Sequence, residues 1–391
     1  MRPGMRLPTH ATVLLLVAAL TLAACSKTRE TDPRATRPEG PGSLVSSTAL
    51  TDFDPAVTER AKTAVRITYR STTGHGDVST SVTGSAFIPA GKPPRGGWPV
   101  VALAHGTTGI EVSCGPSSSP DLFGISGVVA GLLELGQAVA VADYQGLGGP
   151  GGHPYLDAQT AGLNVIDSVR ALRALSPDVS NRWAAYGASQ GGAAAWAANE
   201  QASDYAPELR LVGTVSVAPP ADISDFANLA AEKALNPQQL SAYIWLLGGL
   251  QRTRPDFDLN LYVHDIAPDT WDTLMSCDPG RSEERLRALA SLTPQQVTPA
   301  DLEAQEQLKA LLSTFSLPKH RAAAPMLIVF GGEDQYIRPE WTQEAINRAC
   351  AKGSWIAEVF QPYNTHENVD SSAVLGWVAD RFDGDPAPAN C

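Results

Sequence analysis

Ser189 stands in Tyr186-Gly-Ala-Ser-Gln-Gly-Gly192, a G-x-S-x-G pattern that on the right backbone makes a serine the nucleophile of acyl transfer. With 34 glycines in 391 residues, such a match arises by chance on the order of 0.2 times per chain, so its neighbours must decide. A serine hydroxyl attacks only when a base takes its proton and a third group orients that base. Downstream, Glu333 and Asp334 are adjacent in Phe330-Gly-Gly-Glu-Asp-Gln-Tyr-Ile-Arg-Pro339. Neighbouring side chains on an extended segment point opposite ways, so one of the two serves, and D-x-x-I followed by Pro339 selects Asp334. His366, in Asn364-Thr-His-Glu-Asn368, completes the order Ser, Asp, His. His75, His153, His264 and His320 lack a comparable setting.

Acyl transfer also needs donors for the oxyanion, each commonly worth about 2.7–4 kcal/mol. The backbone N–H of Gln190, after the serine, is one; Gly106 or Thr107, in Ala104-His-Gly-Thr-Thr-Gly109, supplies the other. His105 precedes the serine in the chain and reads as a structural residue of that loop.

These residues need elements to place them. Short apolar runs at 98–104, 138–143, 183–186, 211–217, 325–330 and 355–360 alternate with helical patterns, of which Ala158–Leu175 is the clearest. That alternation predicts an α/β chain with a mainly parallel sheet, entered by an antiparallel pair at 64–69 and 81–88. Ser189 then falls between a strand and a helix, Asp334 after a late strand and His366 after the last one. The stretch between 217 and 326 carries no strand pattern and is far too long for a connection, so a large helical cap is expected between late core strands. Within it, Leu240-Ser-Ala-Tyr-Ile-Trp-Leu-Leu247 is strongly apolar. It either packs the cap's own core or lines an acyl channel, and Tyr243, Trp245 and Leu246, with Tyr144, are the substrate-binding candidates.

Five ordered motifs, HGTTG, DYQGLGG, GASQGG, VSVAPPADI and GGEDQYI, resemble together the secretory lipase family of the α/β-hydrolase superfamily, the yeast lipase A type, from about residue 55 onward. The resemblance implies ester hydrolysis, often of triacylglycerols, by Ser189, Asp334 and His366 without cofactor or metal. It also implies disulfides Cys114–Cys277, tying cap to core, and Cys350–Cys391, pinning the C-terminal tail. Two positions depart from the family: Ala188 replaces a common Tyr, and HGTTG lacks the acidic oxyanion-loop residue.

The resulting expectation is an exported serine ester hydrolase, most simply a monomeric lipase acting on lipid esters. A carboxylesterase for short or bulky esters is the alternative, and a catalytically dead surface binding lipoprotein a more distant one. The first segment has a basic start, an apolar run over about 11–24 and small residues before Cys25, the build of an export signal. Leu22-Ala-Ala-Cys25 resembles the bacterial lipobox, so the expected layout is a signal peptide over 1–24, a lipidated Cys25 holding the protein to a membrane or cell surface unless released, and a disordered linker over 25–55. The core then spans 56–222 and 322–391, and the cap 223–321. Export makes the remaining four cysteines an even set in an oxidising compartment, with three possible pairings. None has zinc-site spacing. A net charge of -12 argues against a nucleic-acid partner.

Overall fold

The computed structural model describes residues 40–391. The leader, Cys25 and the first part of the expected linker lie outside the described residues. The disordered linker expected over 25–55 does not hold for its described part, which is ordered: Leu44–Ala49 forms β1 and Pro55–Thr58 forms α1. β1 is an edge strand paired antiparallel to β2 (Ala61–Thr72), and after Leu44 its side chains are exposed, so no apolar alternation betrayed it.

β2 and β3 (Ser79–Pro89) pair antiparallel along nearly their whole lengths. β4 (Trp98–Ala104), β5 (Ala138–Ala142), β6 (Val179–Ala188), β7 (Arg210–Val217), β8 (Met326–Gly331) and β9 (Ile356–Gln361) complete one sheet of order β1-β2-β3-β5-β4-β6-β7-β8-β9. From β5 to β9 every pairing is parallel.

Strand side chains alternate between two packed layers, as a period of two requires. On one face Val100, Ala102, Ala104, Ala138, Ala140 and Ala142 meet Val165, Ile166 and Val169 of α3 (Ala158–Leu175) and the alanines of α4 (Gln190–Tyr205). On the other, Val101, Leu103, Val139 and Val141 meet α2 (Ser126–Glu134) and a late helix, Val374–Asp383. Small residues bring α3 and α4 close: a Cβ on Gly162 would lie 2.7 Å from the Ala198 nitrogen.

Between β7 and β8 the chain builds α5 (Phe226–Ala231), α6 (Pro237–Thr253), α7 (Pro268–Met275), α8 (Ser282–Ser291) and α9 (Leu302–Ser313), with no strand. α6 starts where local chemistry says it should: Asn236 caps it, Pro237 opens it, and Gln239 closes the reciprocal capping bond. Tyr243, Ile244, Leu246, Leu247 and Leu250 face a second core shared with Phe226, Leu274 and Leu308. After β8, α10 (Pro339–Ala351) and α11 (Val374–Asp383) return to the sheet. Both implied disulfides are bonded. Cys114–Cys277 joins the loop after β4 to the insertion after α7, and Cys350–Cys391 joins the end of α10 to the C-terminus. No helix among the described residues is long and apolar enough to cross a membrane.

Candidate active site

β6 turns into α4 through Ser189, whose φ of 53° and ψ of -125° form a strained corner. Three glycines make the corner possible. A Cβ on Gly187 would lie 2.1 Å from the Gly191 oxygen, one on Gly191 2.0 Å from the Ala104 oxygen, and one on Gly192 2.7 Å from the Val217 oxygen. The Ser189 N–H donates to the Val217 oxygen at 2.8 Å, locking the corner to the next strand. The hydroxyl is thereby lifted out of the sheet at the N-terminus of α4.

The acid and base loops reach it from the ends of β8 and β9. Glu333 N donates to Asn364 O at 2.9 Å, and a Cβ on Gly331 would sit 2.2 Å from that same oxygen. The glycine pair before the acid therefore serves contact between the two loops. Glu333 points to solvent while Asp334 is buried, which selects between the neighbours. Asp334 Oδ1 accepts from the N–H groups of Tyr336 and Ile337, both at 2.8 Å, and Oδ2 accepts from His366 Nδ1 at 2.6 Å. With that proton on Nδ1, His366 Nε2 accepts the Ser189 hydroxyl at 2.8 Å. The three side chains stand in one hydrogen-bonded series.

The oxyanion candidates lie beside it. Gln190 is the first residue of α4, so its N–H has no partner within the helix. Gly106 runs against the corner: a Cβ there would lie 3.5 Å from Ala188 O and 3.9 Å from Ser189 Cβ. Thr107 lines the cavity over Ser189, its hydroxyl 2.9 Å from that of Tyr155. His105 is buried behind the loop, its ring bridging the carbonyls of Gly106 and Asp143 at 2.6 and 3.2 Å, and it does not meet the serine.

His153 was passed over in the sequence and belongs here. Its Nδ1 donates to Gln145 O at 2.9 Å, so Nε2 is free to accept from the Gln190 side-chain amide, also at 2.9 Å. Burial pushes its pKa down to about 4, which keeps the ring neutral and able to accept. The flanking glycines and proline of Gly151-Gly-His-Pro154 were the only signal.

A cavity of about 380 Å³ opens onto Ser189 and His366. Of the substrate-binding candidates, Trp245 lines it. The other three do not. Tyr144 is stacked on His105 and donates to its carbonyl at 2.9 Å, while Tyr243 and Leu246 point into the insertion's own core. On a helix, position 245 points to a different side from 243 and 246, so Trp245, with Ser241 and Ala242, faces the cavity while Tyr243 and Leu246 do not. Tyr155, Leu156, Phe226, Ser241, Arg285 and Tyr336 form much of the remaining wall. These come from five separate segments, and no spacing along the chain gathers them. Among the described residues no cluster of His, Cys, Asp or Glu is arranged to hold a metal ion.

The model of the secretory lipase family matches residues 126–390. The chain belongs to the secretory lipase family. Membership places it with lipase and esterase hydrolases. The chain is 32% identical over 180 residues to a protein of Mycobacterium tuberculosis (strain CDC 1551 / Oshkosh) described as a probable inactive lipase. That match takes in 41% of this chain and only 38% of the relative. Among solved structures, the closed state of Candida antarctica lipase A superposes with a TM-score of 0.73, covering 92% of this chain and 87% of that one at 17% identity. A ligand-bound form of LipA, a rice cell wall degrading esterase from Xanthomonas oryzae, gives 0.65 over 89% of this chain and 100% of the other, also at 17% identity. At such identities the likeness is one of fold, and the fold is that of the α/β-hydrolases.

Proposed function

We propose that this member of the secretory lipase family hydrolyses carboxylic esters, lipid esters foremost, through an acyl-enzyme on Ser189. The observation that carries the reading is the series Ser189–His366–Asp334, with bonds of 2.8 and 2.6 Å, facing the cavity. His366 takes the hydroxyl proton as Oγ attacks the ester carbonyl, and Asp334 stabilises the imidazolium that results. The oxyanion accepts from the N–H of Gln190 and from that of Gly106 or Thr107, and the exposure of Thr107 to the cavity favours Thr107. His366 then protonates the leaving alcohol and activates the water that releases the acid.

Preference for lipid esters is supported by a second, largely apolar cavity of about 710 Å³ in the insertion, which shares Ser241, Arg285 and Tyr336 with the first. Long-chain emulsified esters should accordingly be turned over faster than dissolved short-chain ones; the reverse order makes the enzyme a carboxylesterase. Replacing Ser189 with Ala should remove ester turnover, by at least about 10⁴-fold, while the protein melts at an unchanged temperature.

One observation favours a second reading, loss of activity: the description of the M. tuberculosis relative as inactive. It is weighed against by Ser189, His366 and Asp334 all being present and in register. Labelling by a fluorophosphonate separates the two readings.

A further inference from the structure

Arg285 stands in the wall common to both cavities. Its Nε donates to the Leu274 carbonyl at 3.1 Å and its Nη2 to the Ser241 hydroxyl at 2.9 Å, and its guanidinium carbon lies 3.9 Å from the centre of the Trp245 ring. These contacts hold the side chain in one place. Every one of them is neutral. The other two arginines of the segment have carboxylates, Arg281 with Glu284 and Arg287 with Glu283, whereas among the described residues Arg285 forms no ion pair within 4.0 Å. The ionisable groups whose charge it feels are the phenols of Tyr155 and Tyr336, which line the same cavity.

Two bonds engage only part of a guanidinium's five donors. Burial alone lowers the affinity of this group for its proton, the sign of a cation missing a counter-charge. The surroundings point the same way. In a chain of net charge -12, the residues lining the two cavities include Arg285 and Lys233 but a single carboxylate, Glu367, which is exposed. A triacylglycerol carries no charge and would leave a half-buried guanidinium uncompensated as it fills the cavity and displaces water. An ester bearing an anion would complete it, with the planar fork suited to carboxylate or phosphate.

We propose that Arg285 is a subsite for a negative charge on the substrate, so that the preferred ester carries a carboxylate or a phosphate on the part that reaches the insertion. The proposal rests on the ester-hydrolase reading above and narrows its substrate class. It makes Arg285 a specificity residue, with no part in the proton transfers.

The test compares matched esters. The first pair is the mono-4-nitrophenyl ester of adipic acid and its methyl-capped, uncharged counterpart; the second is a monoacyl ester of glycerol 3-phosphate and the same ester of glycerol. The first pair asks for a carboxylate on the acyl side, the second for a phosphate on the alcohol side. In at least one pair the charged ester should have a kcat/KM at least tenfold the higher. Arg285→Gln should erase that preference, lowering kcat/KM on the charged ester at least tenfold more than on the neutral one, and Arg285→Lys, which keeps the charge, should retain most of it. Equal turnover of charged and neutral esters in both pairs overturns the proposal. So does an equal loss on both esters in Arg285→Gln, which would make the residue a strut between α7 and α6. Binding gives a readout free of turnover: monomethyl adipate or glycerol 3-phosphate should bind a Ser189→Ala chain at least tenfold more tightly than a Ser189→Ala/Arg285→Gln chain, by calorimetry. If that difference appears and no ester is hydrolysed, the hydrolase reading fails and the anion subsite stands; if hydrolysis occurs and neither difference appears, the subsite alone fails.

Discussion

Ser189 keeps a backbone conformation that costs an L-residue about 1–3 kcal/mol, and its neighbours hold it there. Its position was legible because the elbow demands glycines at fixed offsets and because Asp334 and His366 follow in chain order. His153 was not legible, since its role passes through the side chain of Gln190 and leaves no spacing rule. In the mechanism proposed it positions the oxyanion donor Gln190, and its chemistry makes a pH prediction. Its pKa falls from the usual 6.5 to about 4 in the folded chain, so between those values the unfolded chain binds more protons. The stability owed to the neutral ring is complete above about pH 6.5 and lost as pH falls toward 4, an effect of roughly 3 kcal/mol. His153→Gln should therefore lose less melting temperature than the unsubstituted protein between pH 7 and pH 4.5, and its kcat should fall about tenfold with little change in KM. Parallel melting curves at all pH values would show that the ring is not buried neutral.

At the scale of elements, β4 and α3 lie where the apolar patterns put them, because strands buried on both faces and a helix packed along one stripe leave strong periodicities. β1 escaped because an exposed edge strand needs no apolar face. The insertion was legible as a length without strands, but which side of α6 meets the cavity is set by its packing on α5 and α7, and that is why Trp245 proved a wall residue while Tyr243 and Leu246 did not. The Cys114–Cys277 bond closes a loop of 163 residues and ties this insertion to the core next to Gly109, where a Cβ would lie 2.4 Å from the Cys114 sulfur. In the chain-entropy account such a loop contributes about 5 kcal/mol. Replacing both cysteines by Ser should lower stability by about 2–5 kcal/mol in denaturant titration while the sheet's circular dichroism is kept. An unchanged midpoint would mean that the insertion docks without the link.

For the whole molecule, the sheet gathers Ser189, Asp334 and His366 at the C-terminal ends of β6, β8 and β9, the usual place for a site in a parallel α/β sheet. That convergence follows from topology, so three motifs spread over 178 residues were enough to read it. The cavity walls were not readable, because Arg285, Tyr155 and Tyr336 meet only when the insertion folds back over the sheet. Two disulfides fit an oxidising compartment, in keeping with export. If Cys25 is the lipidated residue, the full chain expressed in a bacterial host should partition into the detergent phase of a cloud-point separation, and Cys25→Ser should move it to the aqueous phase. Identical partition of the two chains would remove the anchor.

The central claim is that Ser189 is a nucleophile activated by His366 and Asp334. The direct measurement is labelling of the intact protein with a fluorophosphonate, followed by peptide mass spectrometry. The account predicts one adduct, on the peptide carrying Ser189, lost in Ser189→Ala and slowed by at least about 10³-fold in His366→Ala. An unlabelled Ser189 in the folded protein, or labelling that persists unchanged without His366, would contradict it.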